Sequence, residues 1–270
     1  MGSSRARCCK RAGLGAGLLL AVLGPLLVFG ALAEEVAERE PIPWDHPLLS
    51  SILSHRMKLL DAPMAFLTGA GGGVGLLVLV ALVIALLLWR RRLESAIFFA
   101  VAVEGARLAS KIIKELFSRP RPDIARYAFP GGHELALIGV VAMVVIVSYP
   151  TRWRRPALLF GSTFLLALGL ELLLDRWVFE SAHSFPSGHA VGSMAFAVAL
   201  FILAWPTRWR LPIVILGGLF VLAVGISRVY MGFHYPSDVL AGWAVSVPWV
   251  VGLWLLFQAR QLSTATGISR

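Results

Sequence analysis

Ser184-Phe-Pro-Ser-Gly-His189 opens the run that decides the fold. It leads into the apolar stretch Ala190-Val-Gly-Ser-Met-Ala-Phe-Ala-Val-Ala-Leu-Phe-Ile-Leu-Ala204, which closes on Trp205-Pro-Thr-Arg-Trp-Arg210. An uncharged apolar run of about 20 residues is what a helix needs to cross a hydrocarbon core. Tryptophan and arginine at its far end are the residues a membrane–water junction selects. The near end carries a histidine and a serine next to a glycine, a group with chemistry in it.

The whole chain repeats this plan. It is 58% hydrophobic and 15% charged over 270 residues, with a mean hydropathy of +0.78, which excludes an ordinary soluble domain. Eight candidate membrane segments are legible: about 13–33, 66–89, 95–117, 134–149, 157–175, 189–205, 211–227 and 239–257. The expected fold is all-α, a polytopic helical bundle. The net charge of +10 is not a nucleic-acid signal, because the basic residues sit at segment junctions: Arg5, Arg7, Lys10 and Arg11; Arg90, Arg91 and Arg92; Arg152, Arg154 and Arg155; Arg208 and Arg210; Arg260. With the amino terminus in the cytoplasm and eight crossings, every cluster falls on the cytoplasmic side, as the positive-inside rule requires. The expected location is the cell inner (plasma) membrane, multi-pass.

Sliding the chain by 56 residues exposes an internal repeat. Phe129-Pro-Gly-Gly-His133 lies over Phe185-Pro-Ser-Gly-His189, and Tyr149-Pro-Thr-Arg-Trp-Arg154 lies over Trp205-Pro-Thr-Arg-Trp-Arg210. Residues 129–175 thus read as a degenerate copy of 185–231, a duplicated helical hairpin. A hairpin crosses twice, so it preserves the sidedness of whatever flanks it. The domain organisation follows: a first membrane segment over 1–33, a membrane domain over 34–258, and a cytoplasmic tail over 259–270. Ala31-Leu32-Ala33 resembles a signal-peptidase site, though an uncleaved first helix is preferred. Residues 34–65 are an outward polar stretch with a short interfacial helix expected near 47–60. Gly69-Ala-Gly-Gly-Gly-Val-Gly75 lacks the Lys-Ser/Thr ending of a phosphate loop and reads as close packing at a helix end. Cys8 and Cys9 allow neither a disulfide framework nor a zinc pattern and read as reduced bystander thiols.

Three polar clusters lie at segment ends on the face opposite the basic clusters: Lys114-x6-Arg121-Pro122, Pro186-Ser-Gly-His189, and Ser227-Arg228-x5-His234-x3-Asp238. Ionisable residues at membrane depth are functional candidates by default. Each triplet alone reads as a turn or a helix cap; three in this order on one face read as a phosphate site. Phosphoryl transfer spreads negative charge over its transition state, so positioned cations and N–H donors are what it demands. Lys114 and Arg121 supply two cations, and Arg228 adds a fork that holds two oxygens. Ser187 and Gly188 sit where a helix begins, with N–H groups and a hydroxyl available to an anion. His234 has Asp238 four residues on to fix its tautomer, so it is the expected nucleophile, through a phosphohistidine. His189 has no such partner and is the expected general acid. His133 reads as a spare left by the duplication, and Arg126 and His183 as lining the entrance.

These motifs, in this order, resemble those of the type 2 phosphatidic acid phosphatase superfamily, integral membrane lipid phosphatases. The likeness covers about residues 45–257, and none of the defining positions in Lys114-Glu-Leu-Phe-Ser-Arg-Pro-Arg-Pro122, Ser184-Phe-Pro-Ser-Gly-His-Ala190 or Ser227-Arg-Val-Tyr-Met-Gly-Phe-His-Tyr-Pro-Ser-Asp238 is substituted. The resemblance implies Lys114, Arg121, Ser187, Gly188 and Arg228 as phosphate ligands, His189 as acid, and His234 as nucleophile held by Asp238. It also implies no metal and no cofactor. The departure is the extra hairpin between the first two motifs, where members have a short loop. The expected function is hydrolysis of lipid phosphate or diphosphate monoesters at the outer face, with undecaprenyl diphosphate leading and phosphatidate or phosphatidylglycerophosphate next. The expected partners are the lipid substrate and membrane lipids, with no nucleic acid. The alternatives are a lipid phosphotransferase and a non-catalytic carrier of anionic lipids.

Overall fold

The computed structural model describes residues 2–123 and 183–265, with isolated positions between 155 and 165; the side chains described run from 17 to 260. Apart from those isolated positions, the fourth and fifth expected segments and the duplicated hairpin with His133 lie outside the described residues, as do Arg126 and the end of the tail. Among the described residues there are eight helices: α1 (Gly2–Ala37), α2 (Asp45–Ser54), α3 (Lys58–Ala70), α4 (Gly73–Trp89), α5 (Leu93–Phe117), α6 (Gly188–Ala204), α7 (Arg210–Tyr230) and α8 (Pro236–Ala265).

Three helical stretches are long and apolar enough to span a membrane, Leu19–Ala37, Arg210–Tyr230 and Pro236–Arg260, and α3 with α4 forms a fourth if the bent pair counts as one. The expected single segment at 66–89 is therefore two helices meeting at 52°. The break falls at Gly71-Gly72, inside the glycine cluster. The physical reason is the backbone there: Gly72 is extended and Gly73 takes a left-handed φ of 49°, while a Cβ on Gly71 would lie 2.4 Å from Val224. The single interfacial helix expected near 47–60 is likewise α2 ended at Ser54 and α3 begun at Lys58.

Packing follows the rule for helices in lipid, where small residues let backbones approach. Val191, Ala195 and Ala199 recur every four residues along the buried face of α6, and Ala102 and Ala106 do so on α5. Between them sit Leu76, Val80, Phe99 and Val103. Outside, α7 exposes Leu211, Ile215, Leu219, Leu222 and Ile226, one continuous apolar stripe at helical spacing. Such a stripe is tolerable on a surface that faces lipid. The long α1 runs unbroken through Ala31-Leu32-Ala33 and lies along α8. There Leu32, Ala33 and Val36 bury with Phe185 and Ala241, so α1 packs directly behind the loop that carries the second motif.

Candidate active site

The third motif takes its spacing from a helix end joined to a helix start. Gly232 adopts φ 70°, the left-handed position that glycine occupies without strain. Its N–H donates to the Val229 carbonyl and that of Phe233 to the Arg228 carbonyl, the paired pattern that ends a helix and satisfies its last carbonyls. Arg228 thus remains on the last turn of α7, its guanidinium 4.4 Å from the centre of the Phe233 ring, and His234 follows the turn. Pro236 then starts α8 with its ring pre-set for the first helical position. Asp238 reaches back to accept from the Tyr235 N–H at 2.9 Å. The cap expected as the plain reading of this motif is therefore present at the same residues that carry the catalytic expectation.

The second motif is clipped to the other two through its backbone. Ser184 N–H donates to the Arg119 carbonyl at 2.8 Å, and Ser187 N–H to the Asp238 carbonyl at 2.9 Å. The Ser184 hydroxyl adds a bond to the Pro120 carbonyl at 3.0 Å. The bond to Asp238 amends the expectation that the Ser187 N–H faces an anion, because that donor is taken. The donors left at this helix start are the Ser187 hydroxyl, which has no protein partner, and the first N–H groups of α6.

The three motifs therefore converge. Lys114 reaches the α6 start: a Cβ on Gly188 would lie 3.9 Å from its Nζ. Arg228, Lys114 and Arg121 all act electrostatically on His234. Burial and these three cations hold the His234 imidazole well below its ordinary pKa, which favours the neutral ring. Its Nδ1 lies 3.5 Å from Asp238 Oδ2, leaving Nε2 directed away from the carboxylate. A contact of this length commonly tightens only once substrate binds. His189 meets Gly72 with the Nε2 edge of its ring, where a Cβ would come within 2.1 to 2.7 Å of its atoms. The glycine cluster is therefore close packing, as its composition suggests, and what it packs against is the second histidine. His183 lies at the edge, 3.5 Å from Glu115.

Sequence reasoning missed three positioning residues. Arg119 donates to Asp238 Oδ1 at 2.7 Å and to Ser237 Oγ at 2.8 Å through one nitrogen, and to Asp45 Oδ2 at 2.8 Å through the other. Asp45, 1% exposed, also accepts from Ser237 N at 3.0 Å. Burial pulls the Arg119 pKa down, but Asp238 and Asp45 outweigh it and the net shift is upward. A charged clamp therefore stands behind the His–Asp pair. The third is Thr68, whose hydroxyl lies 2.8 Å from Ser227 Oγ and accepts from Arg228 at 3.3 Å. The tandem Arg119-Pro-Arg-Pro122 is a signal that was available for Arg119; Asp45 and Thr68 carry none.

The fold itself is that of a transmembrane phosphatase. The crystal structure of the first transmembrane PAP2 type phosphatidylglycerolphosphate phosphatase from Bacillus subtilis superposes over 93% of this chain and 98% of that one, with a TM-score of 0.58 at 19% identity. Residues 171–262, the stretch that holds the second and third motifs, match the sequence model of the PAP2 superfamily. The first motif lies outside the matched residues. Phosphatidylglycerophosphatase B of Bacillus subtilis (strain 168) is 33% identical over 102 residues, 33% of this chain and 50% of that protein. Undecaprenyl-diphosphatase of Sulfolobus acidocaldarius is 35% identical over 88 residues, 33% of this chain and 37% of that protein. Sphingosine-1-phosphate phosphatase 1 of Mus musculus is 31% identical over 123 residues, 43% of this chain and 25% of that protein. The chain thus spans half or less of the length of these relatives.

Proposed function

We propose that this protein is a membrane lipid phosphatase that hydrolyses phosphate or diphosphate monoesters of lipids without a metal, at the extracytoplasmic face. The observation that carries the reading is the convergence of Lys114, Arg121 and Arg228 on a neutral, buried His234 backed by Asp238. Binding an anion needs only the cations; a nucleophile with an oriented tautomer and a second histidine across from it are what transfer needs. His234 Nε2 attacks phosphorus as the ester P–O bond breaks, and His189, which takes up a proton when the phosphate dianion is seated beside it, gives that proton to the departing lipid oxygen. Asp238 stabilises the positive charge that His234 gains on becoming a phosphohistidine. Water, losing its proton to His189, then attacks phosphorus and releases inorganic phosphate, which restores both histidines. The cations and the free donors at the α6 start carry the spread charge of each transition state.

The lipids favoured are undecaprenyl diphosphate and phosphatidate- or phosphatidylglycerophosphate-type esters, in keeping with what the named relatives act on. The test is phosphate release by detergent-purified protein, with EDTA present, from each of these lipids, with His234→Ala alongside. Release by the unmutated protein and its loss in His234→Ala is the expected result. Release that EDTA abolishes overturns metal independence. Product that appears only with a lipid acceptor points to a phosphotransferase, and tight lipid binding without turnover to a carrier.

A further inference from the structure

Seven serines are buried among the described residues: Ser110, Ser184, Ser187, Ser193, Ser227, Ser237 and Ser246. Those inside apolar helices behave as such serines do, folding the hydroxyl back onto a carbonyl of the preceding turn. Ser193 bonds the Ala190 carbonyl at 3.2 Å, Ser227 the Val224 carbonyl at 2.7 Å and Ser246 the Gly242 carbonyl at 2.6 Å. Ser184 bonds the Pro120 carbonyl at 3.0 Å, and Ser237 bonds Asp45 within the clamp described above. Ser110 and Ser187 alone among the seven have a buried hydroxyl with no partner. Ser187 is already assigned to the phosphate; Ser110 is not.

Ser110 lies in α5, 2% exposed, four residues before Lys114 and so on the same helix face. Its hydroxyl does not turn back along α5. It lies toward the α6 start, 3.6 Å from where a Gly188 side chain would begin, and Lys114 Nζ is 3.9 Å from that same point. A hydroxyl and an ammonium thus flank a spot that glycine leaves empty, beside the free N–H groups of a helix start. A buried donor without an acceptor is costly, and an anion seated there would satisfy it.

We infer that Ser110 is a further phosphate ligand, donating a hydrogen bond to a non-bridging phosphoryl oxygen that Lys114 and the Gly188 N–H also hold. This rests on the phosphatase reading for its substrate but only on phosphate binding for its test. Inorganic phosphate would be titrated calorimetrically into the purified full chain, and its upward shift of the melting temperature recorded, for the unmutated protein, Ser110→Ala and Ser193→Ala. Turnover of phosphatidate would be measured on the same samples. Ser110→Ala is expected to weaken phosphate binding about tenfold, the worth of one hydrogen bond to a charged acceptor, and to shrink the phosphate-induced melting shift. Its melting temperature without phosphate stays level or rises, because no protein bond is lost. Ser193→Ala, which removes a bonded serine, leaves phosphate affinity unchanged. Phosphate affinity in Ser110→Ala equal to that of the unmutated protein overturns the assignment, as does an equal loss in Ser193→Ala or an unmutated protein that binds no phosphate. Phosphate binding that depends on Ser110 in a protein that turns over no lipid keeps the ligand and removes the phosphatase reading instead.

Discussion

Replacing Arg119 by alanine removes the cation that two buried carboxylates share. Arg119 is itself 12% exposed, Asp45 1% and Asp238 0%, so neither carboxylate can turn to water for compensation. Taking one partner out of a buried pair costs about 3–5 kcal/mol. The Tyr235 and Ser237 N–H groups still donate to the carboxylates, which sets the expected loss near the lower end, about 3 kcal/mol. That is a sizeable share of the roughly 5–15 kcal/mol that holds a domain together. The assay is thermal unfolding in detergent together with phosphate release, on Arg119→Ala, Asp45→Ala and the double variant. If the clamp is one unit, the double variant loses less than the two singles summed, by about 1–3 kcal/mol. Arg119→Lys keeps the charge but not the two-pronged geometry, so it falls between. Arg119→Ala with unchanged melting and unchanged kcat/KM refutes the reasoning, and strictly additive singles refute the coupling.

Gly72→Ala places a methyl group against the His189 ring, which must swing away. Loss of a positioned general acid costs about 10²–10⁴ in rate, and the deficit is expected to be smaller for an ester with a good leaving group than for a lipid alcohol; equal deficits for both refute it. Thr68→Val keeps the volume but drops the bonds to Arg228 and Ser227. Ser227 keeps its bond to the Val224 carbonyl, so kcat/KM is expected to fall about 2–10-fold, the value of the one hydrogen bond to Arg228, and a change within error in steady-state kinetics counts against it. His234 is held well below its ordinary pKa, first by burial and then by Arg228, Lys114 and Arg121. Its NMR titration, assigned with His234→Gln, is therefore expected to show a neutral ring at pH 6.5 that takes a proton only well below it. The unfolded chain takes that proton from about pH 6.5 downward. The His234 contribution to stability is thus level above pH 6.5 and declines as the pH falls from there toward the depressed value. A midpoint at or above 6.5 excludes this.

Membrane character, an all-helical fold and the three motifs in order were determined by the sequence alone, because each is a local property. Hydropathy acts over one helix length, a basic cluster marks the junction where it stands, and Arg228-x5-His234-x3-Asp238 encodes one helix end and the next helix start. The break at Gly71-Gly72 was half legible: the glycines announce close approach, but Val224 and His189, the side chains that demand it, lie more than a hundred residues on. Only the tertiary structure decided the surroundings of the histidines. Asp45 meets Ser237 and Arg119 meets Asp238 across long stretches of chain, and neither partner carries a periodicity that points to the other. Ser110 reads as one more small residue on a helix face until α6 is set beside it with Gly188 opposite. A hydrogen bond between distant residues is a fact of assembly, since it depends on the packing of every helix between them, and so the motifs were legible in the sequence while the Arg119 clamp behind Asp238 was not.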